Sequence, residues 1–136
     1  MTKTNLKQQI FIDALASKVW KVLTGCDYIN QYLFDGSVHC QWKEGSSILV
    51  TDTERETQTT SKGKVLHVVP GVLLKYNLEE NPESLITVTY ELNLAEDGIE
   101  LKFSSEGYND SDEAYFFRLQ QTKLLLQKIK WLAEYA

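Results

Sequence analysis

The sequence predicts an α+β fold: a curved antiparallel β-sheet wrapped around a long C-terminal helix, with two short helices after the first strand. Three observations predict it. Period-two segments broken by glycine turns run from Ser37 to Ser104. One stretch of helical period, long enough to cover a sheet, follows Asp110. A lone strand-like segment and an interrupted helical stretch come first. A sheet with one dry face must bury it, and only the terminal helix is long enough to do so.

Each element has its own signal. Leu6 to Ile12 alternates polar and apolar residues, as a strand with one wet face does. Ser17 is the expected N-cap of a helix whose apolar face is Val19, Val22 and Leu23. Gly25 fits a left-handed residue that ends this helix, and Asp27 then caps a second one, Tyr28 to Leu33. Asp35-Gly36 is a turn. Strands Ser37 to Trp42 and Ser46 to Asp52 flank Lys43-Glu44-Gly45. The polar run Thr53 to Gly63 suits an exposed strand pair with its loop. Lys64 to Val69 and Val72 to Leu78 flank the turn pair Pro70-Gly71.

The last hairpin is the clearest. Ile86, Val88, Tyr90, Leu92 and Leu94 share one face of a strand, and Ile99, Leu101 and Phe103 share one face of the next. Glu96-Asp97-Gly98 joins them. Asp110 or Ser111 then caps the long helix. Its stripe is Tyr115, Leu119, Thr122, Leu126, Ile129 and Ala133, widened by Phe116, Leu125 and Leu132. Phe117, Leu124 and Trp131 add a line at spacing seven, so the apolar face is wider than one flat contact requires. The sum is a helix-grip arrangement, and a sheet that curls more than the helix can fill leaves a cavity between them.

Composition narrows the function classes. At 136 residues the chain is most simply one domain, 1–136. A chain of that length buries roughly 70% of its unfolded surface, enough for a core without metal or disulfide support. A net charge of −5 argues against nucleic-acid binding and against adsorption to anionic membranes. No apolar run reaches the roughly 20 residues of a spanning helix, so no membrane insertion is expected. No signal-peptide pattern follows the N-terminal lysines, which points to a cytoplasmic protein. Cys26 and Cys40 form no metal pattern and read as free thiols.

Three stretches, in this order of elements, resemble the START-like (SRPBCC) superfamily and, within it, the group similar to the activator of the heat-shock-protein-90 ATPase. They are SKVWKVLT (Ser17 to Thr24), GKVLHVVPGVLLKYNL (Gly63 to Leu78) and VTYELNLAEDGIELKFSSEGY (Val88 to Tyr108). The sequence departs from that pattern at Tyr32, at Gly45-Ser46-Ser47-Ile48 and at Gly98-Ile99. The resemblance implies the helix-grip fold, ligand or protein binding, and a possible chaperone partner. It does not carry stimulation of the chaperone ATPase, which in the full co-chaperone goes with an N-terminal domain.

The chemistry-bearing residues are sparse. His39 and His67 are the only histidines and have no metal-ligand spacing, so neither metal nor cofactor is expected. No nucleophile motif, phosphate-cradling loop or carboxylate pair is visible, which places an enzyme third among the readings. Candidate ligand contacts are Trp20, Tyr32, Trp42, His67, Tyr76, Tyr90, Phe103 and Phe117. Most of these aromatics must be plain core, but a buried Tyr needs a partner for its hydroxyl. Whether His67 faces inward depends on register, which a one-residue slip reverses. Arg118 is able to reach a ligand carboxylate, against the simpler role of a solvated surface charge. Two readings follow: a protein that binds a small hydrophobic or amphipathic ligand, or a chaperone-linked interaction module whose contacts are the Thr53 to Gly63 segment and the acidic surface.

Overall fold

The computed structural model describes residues 4–25, 28–29, 36–52, 59–81, 84–108 and 112–135. Seven strands form one antiparallel sheet. They are β1 (Thr4–Ile12), β2 (Gly36–His39), β3 (Ser47–Asp52), β4 (Thr59–Val69), β5 (Leu73–Asn81), β6 (Ser84–Ala95) and β7 (Gly98–Tyr108). Their order across the sheet is β1-β7-β6-β5-β4-β3-β2. The chain thus makes one long jump, from β1 to the far edge, and then returns strand by strand until β7 pairs with β1. Helix α1 (Ala16–Thr24) accompanies that jump, and helix α2 (Asp112–Tyr135) ends the chain.

One face of the sheet is dry. Leu74, Tyr76 and Leu78 of β5, Ile86 to Leu92 of β6 at every second residue, and Leu101 and Phe103 of β7 are all buried. The inner stripe of α2, Thr122, Leu126, Ile129, Leu132 and Ala133, is buried with them. Leu94 lies beyond the last β5–β6 pair, Leu73 with Glu91, and is 88% exposed despite sharing the core-facing phase.

The C-terminal end of α2 is fastened to the end of β1. Lys130 Nζ donates to the Phe11 carbonyl at 2.8 Å and to Glu134 Oε2 at 2.6 Å. The Asp13 amide also donates to Glu134 Oε2, at 2.8 Å. These bonds hold Glu134 ionised, with its pKa below the usual carboxylate value, chiefly through the Lys130 hydrogen bond and then the Asp13 amide.

Several sequence expectations are corrected. Helix α1 starts at Ala16 with Leu15 as N-cap, and no side chain caps it, so Ser17 lies inside the first turn. Gly25 is not left-handed: its φ is −77° and its ψ 130°. Glycine is needed there for space. A Cβ would sit 2.6 Å from the Lys21 carbonyl oxygen and 3.3 Å from the Tyr28 ring. The Gly25 carbonyl in turn accepts from the Tyr28 and Ile29 amides, at 3.0 and 2.9 Å, which restarts helical backbone. Tyr28 and Ile29 open the expected second helix, whereas Asp27 and residues 30–33, Tyr32 among them, lie outside the described residues, as do the caps Asp110 and Ser111. The strand expected to reach Trp42 stops at His39, and Trp42 beyond it takes a left-handed conformation with φ 55°. The Pro70-Gly71 turn forms as expected, with Gly71 at φ 77° and the Val72 amide bonded to the Val69 carbonyl at 2.9 Å.

Candidate functional site

Register places the interesting residues in two neighbouring rows across the dry face. One row runs Leu6, Ser105, Val88, Tyr76, Val65. The next runs Gln8, Phe103, Tyr90, Leu74, Val68. Tyr76, Tyr90 and Phe103 therefore come together on the inner face, as strand alternation requires. Tyr90 and Phe103 meet edge to face with centroids 5.3 Å apart. Trp42 meets Tyr76 in the same manner at 5.6 Å. Such pairs prefer this geometry because the positive ring edge faces the negative ring face. The left-handed turn at Trp42 aims its half-buried ring at Tyr76, and the Trp42 amide donates to Cys40 Sγ at 3.2 Å.

The rows hold more than apolar walls. The Tyr90 hydroxyl, Ser105 Oγ and Arg118 Nε are all shut off from solvent. Ser105 Oγ has no hydrogen-bond partner among the described residues. Gln8 spans the gap to the helix and donates to the Leu119 carbonyl at 3.5 Å. Arg118 and Leu119 thus sit on the stretch of α2 that passes by β1. Along α2, closest approach is to β1 and α1, and the middle strands lie farther from its axis.

The remaining candidates fall elsewhere. Trp20 is half-buried on α1 and packs against the core. Tyr32 lies outside the described residues. His67 faces outward: its Nδ1 is 2.8 Å from Glu44 Oε1 and its side chain is 52% exposed. The cause is a bulge. Val65 pairs with Tyr76 and His67 with Lys75, so Leu66 is the extra residue and the strand's phase reverses. Glu44 also accepts the Val68 amide at 3.1 Å, holding the bulge in place. Phe117 is 64% exposed and points away from the sheet. The extra width of the helix's apolar face therefore does not line the dry face: Phe116, Phe117, Leu124 and Trp131 all look outward.

One residue of the site, Ser105, is not among the sequence candidates. Ser105 lies two residues past Phe103, in phase with Leu101 and Phe103, and a polar residue at such a position is the available signal. Arg118, singled out in the sequence for a ligand carboxylate, lies three residues after Tyr115 and four before Thr122, which puts it beside the inner stripe. Among the described residues no cluster of His, Cys, Asp or Glu is able to hold a metal ion, and no helix is long and apolar enough to cross a membrane.

Comparison with known proteins agrees with the fold. The family model described as Activator of Hsp90 ATPase homolog 1-like protein matches residues 13–134. No curated protein matches the sequence. The fold is shared with protein MLL2253 from Mesorhizobium loti, at 19% identity and TM-score 0.79, over 95% of this chain and 96% of that one. The Aha1 dimer from Colwellia psychrerythraea is similar at 18% identity and TM-score 0.80, over 97% of each chain. A Cytophaga hutchinsonii protein, ChR145, is similar at 22% identity and TM-score 0.80, over 96% of this chain and 94% of that one.

Proposed function

The chain belongs to the Activator of Hsp90 ATPase homolog 1-like protein family, and from that premise we propose that it binds a small apolar or amphipathic molecule between the inner face of the sheet and α2. One observation carries the reading: a buried polar group on an otherwise apolar face. Leaving a hydroxyl such as Ser105 Oγ buried without a partner costs about 1–3 kcal/mol. A ligand oxygen or nitrogen at that position would recover the cost. Tyr76, Tyr90, Phe103 and Trp42 supply the apolar walls, and few polar groups among such walls is how small-molecule sites gain specificity. Arg118 suits an acidic or strongly polar head on that molecule. These groups suit holding and orienting a molecule, and the reading is one of binding.

Native mass spectrometry of the protein purified from its own host tests this. A discrete extra mass that is lost on unfolding is expected. The reading is overturned if the protein carries only its polypeptide mass and fails to brighten anilinonaphthalene sulfonate, a probe for apolar sites. A second reading, a chaperone-linked or stress-related interaction module, is favoured by the exposed apolar side of α2.

A further inference from the structure

The outer side of α2 carries five large apolar side chains. Phe116, Phe117, Leu124, Trp131 and Tyr135 are 61%, 64%, 60%, 58% and 72% exposed. Phe117, Leu124 and Trp131 recur at spacing seven and Tyr135 follows four residues after Trp131, so these four lie along one line of the helix. Trp131 and Tyr135 already touch, with ring centroids 6.1 Å apart. The sheet needs only the opposite stripe, so packing within the chain does not account for this line.

We propose that this line is a dimer interface that receives the same line of a second copy of the chain, with the two α2 helices antiparallel and Leu124 at the twofold axis. Three arguments select a second copy. The first is area. With side chains of about 150–250 Å² at these exposures, each copy offers roughly 600 Å² of apolar surface. Two copies together, with flanking glutamines and lysines, reach the roughly 1,200–2,000 Å² that stable interfaces bury. The second is charge. The chain as a whole is at −5, so two copies repel. Yet α2 holds four basic residues against three acidic ones, so two copies meeting there avoid that repulsion. The third is pattern. Phe117 and Trp131 lie at equal spacing on either side of Leu124, so an antiparallel pair sets each Phe117 against the Trp131 of the other copy. The same register places Gln121 by Gln127 and Lys128 by Gln120. A parallel pair would instead set Lys128 beside Lys128 and Glu113 beside Glu113, like charges that repel. The twofold makes the contact isologous and closed, so it ends at a dimer.

Sedimentation velocity across a range of concentrations tests it. The wild-type chain is expected to sediment as a dimer in the micromolar range. Leu124→Glu and Leu124→Lys, at an exposed position, are each expected to leave the far-ultraviolet circular dichroism unchanged and to yield monomers. Mixing the two variants is expected to restore a dimer, because residue 124 of one copy faces residue 124 of the other. A wild-type chain that stays monomeric throughout overturns the proposal and leaves the face to some other partner. A dimer that survives Leu124→Glu overturns it as well, as does a mixture that remains monomeric.

Discussion

Replacing Ser105 by Ala separates the two things a buried hydroxyl does. In the ligand-free chain Ser105 Oγ is solvent-inaccessible and has no partner among the described residues. Ser105 is 3% exposed, so the substitution opens almost no new surface to water. Removing an unpartnered buried hydroxyl recovers about 1–3 kcal/mol. For a chain of 136 residues, about 1 kcal/mol shifts Tm by roughly 3–4 °C. Differential scanning calorimetry of ligand-stripped protein should therefore show Ser105→Ala melting several degrees above wild type. Binding should move the other way. A hydrogen bond to the ligand contributes about 0.5–1.5 kcal/mol net, so Kd should rise roughly two- to twelvefold. A stripped Ser105→Ala protein that melts below wild type would refute the reasoning, because Ser105 would then be bonded in the empty protein. Equal Kd values would remove Ser105 from the site.

Gly25→Ala should destabilise by about 1–2 kcal/mol in urea unfolding, since overpacking against a backbone carbonyl typically costs 1–3 kcal/mol and the alanine recovers part of it through the unfolded chain; an unchanged midpoint would contradict the close approach to Lys21 O. Phe103→Ala should cost about 3–5 kcal/mol, as a large core truncation does, whereas Phe117→Ala in the monomeric Leu124→Glu background should stay within about 0.5 kcal/mol. Equal losses in that urea comparison would place Phe117 in the core. Glu134 has its pKa lowered from 4.5 in the folded chain, so its contribution is present above that value and is lost as pH falls through the folded value. The Tm gap between wild type and Glu134→Gln should accordingly be full at neutral pH and shrink as acid is added below 4.5; a gap that widens in acid would invert the assignment.

Most of the architecture follows from period alone. The β6–β7 hairpin is legible because Ile86 to Leu92 and Ile99 to Phe103 alternate without interruption and a glycine turn joins them. The terminal helix is legible because its stripe holds over its whole length. Less legible was whatever depends on a backbone departure. The bulge at Leu66 leaves no mark in the hydrophobic pattern, yet it decides which way His67 points. Likewise, Trp42 as a left-handed residue contradicts its own propensity, because a β-branched or aromatic residue ordinarily favours extended backbone. Gly25 marks the right boundary for a different reason than the pattern implies: a glycine helix stop has two physical causes, positive φ and lack of room, and sequence alone does not distinguish them.

The width of the apolar face on α2 shows how a correct observation reaches a wrong destination. Periodicity counts apolar residues around a helix but does not say what each side meets. Read alone, the surplus line of Phe117, Leu124 and Trp131 suggested a cavity that the helix fails to fill. Its exposure moves it to the opposite side. The ligand reading therefore does not rest on helix width; it rests on Ser105, a polar group enclosed where the pattern asks for an apolar one. The surplus line becomes a separate matter, and the two have separable consequences. Leu124→Glu alters only the outer side of α2, so probe binding at the inner face should persist in the monomer it produces. Ser105→Ala alters only the inner row, so sedimentation should be unchanged. If either variant moved both readouts, α2 would have to transmit between its two sides, and the independence argued from burial would fail.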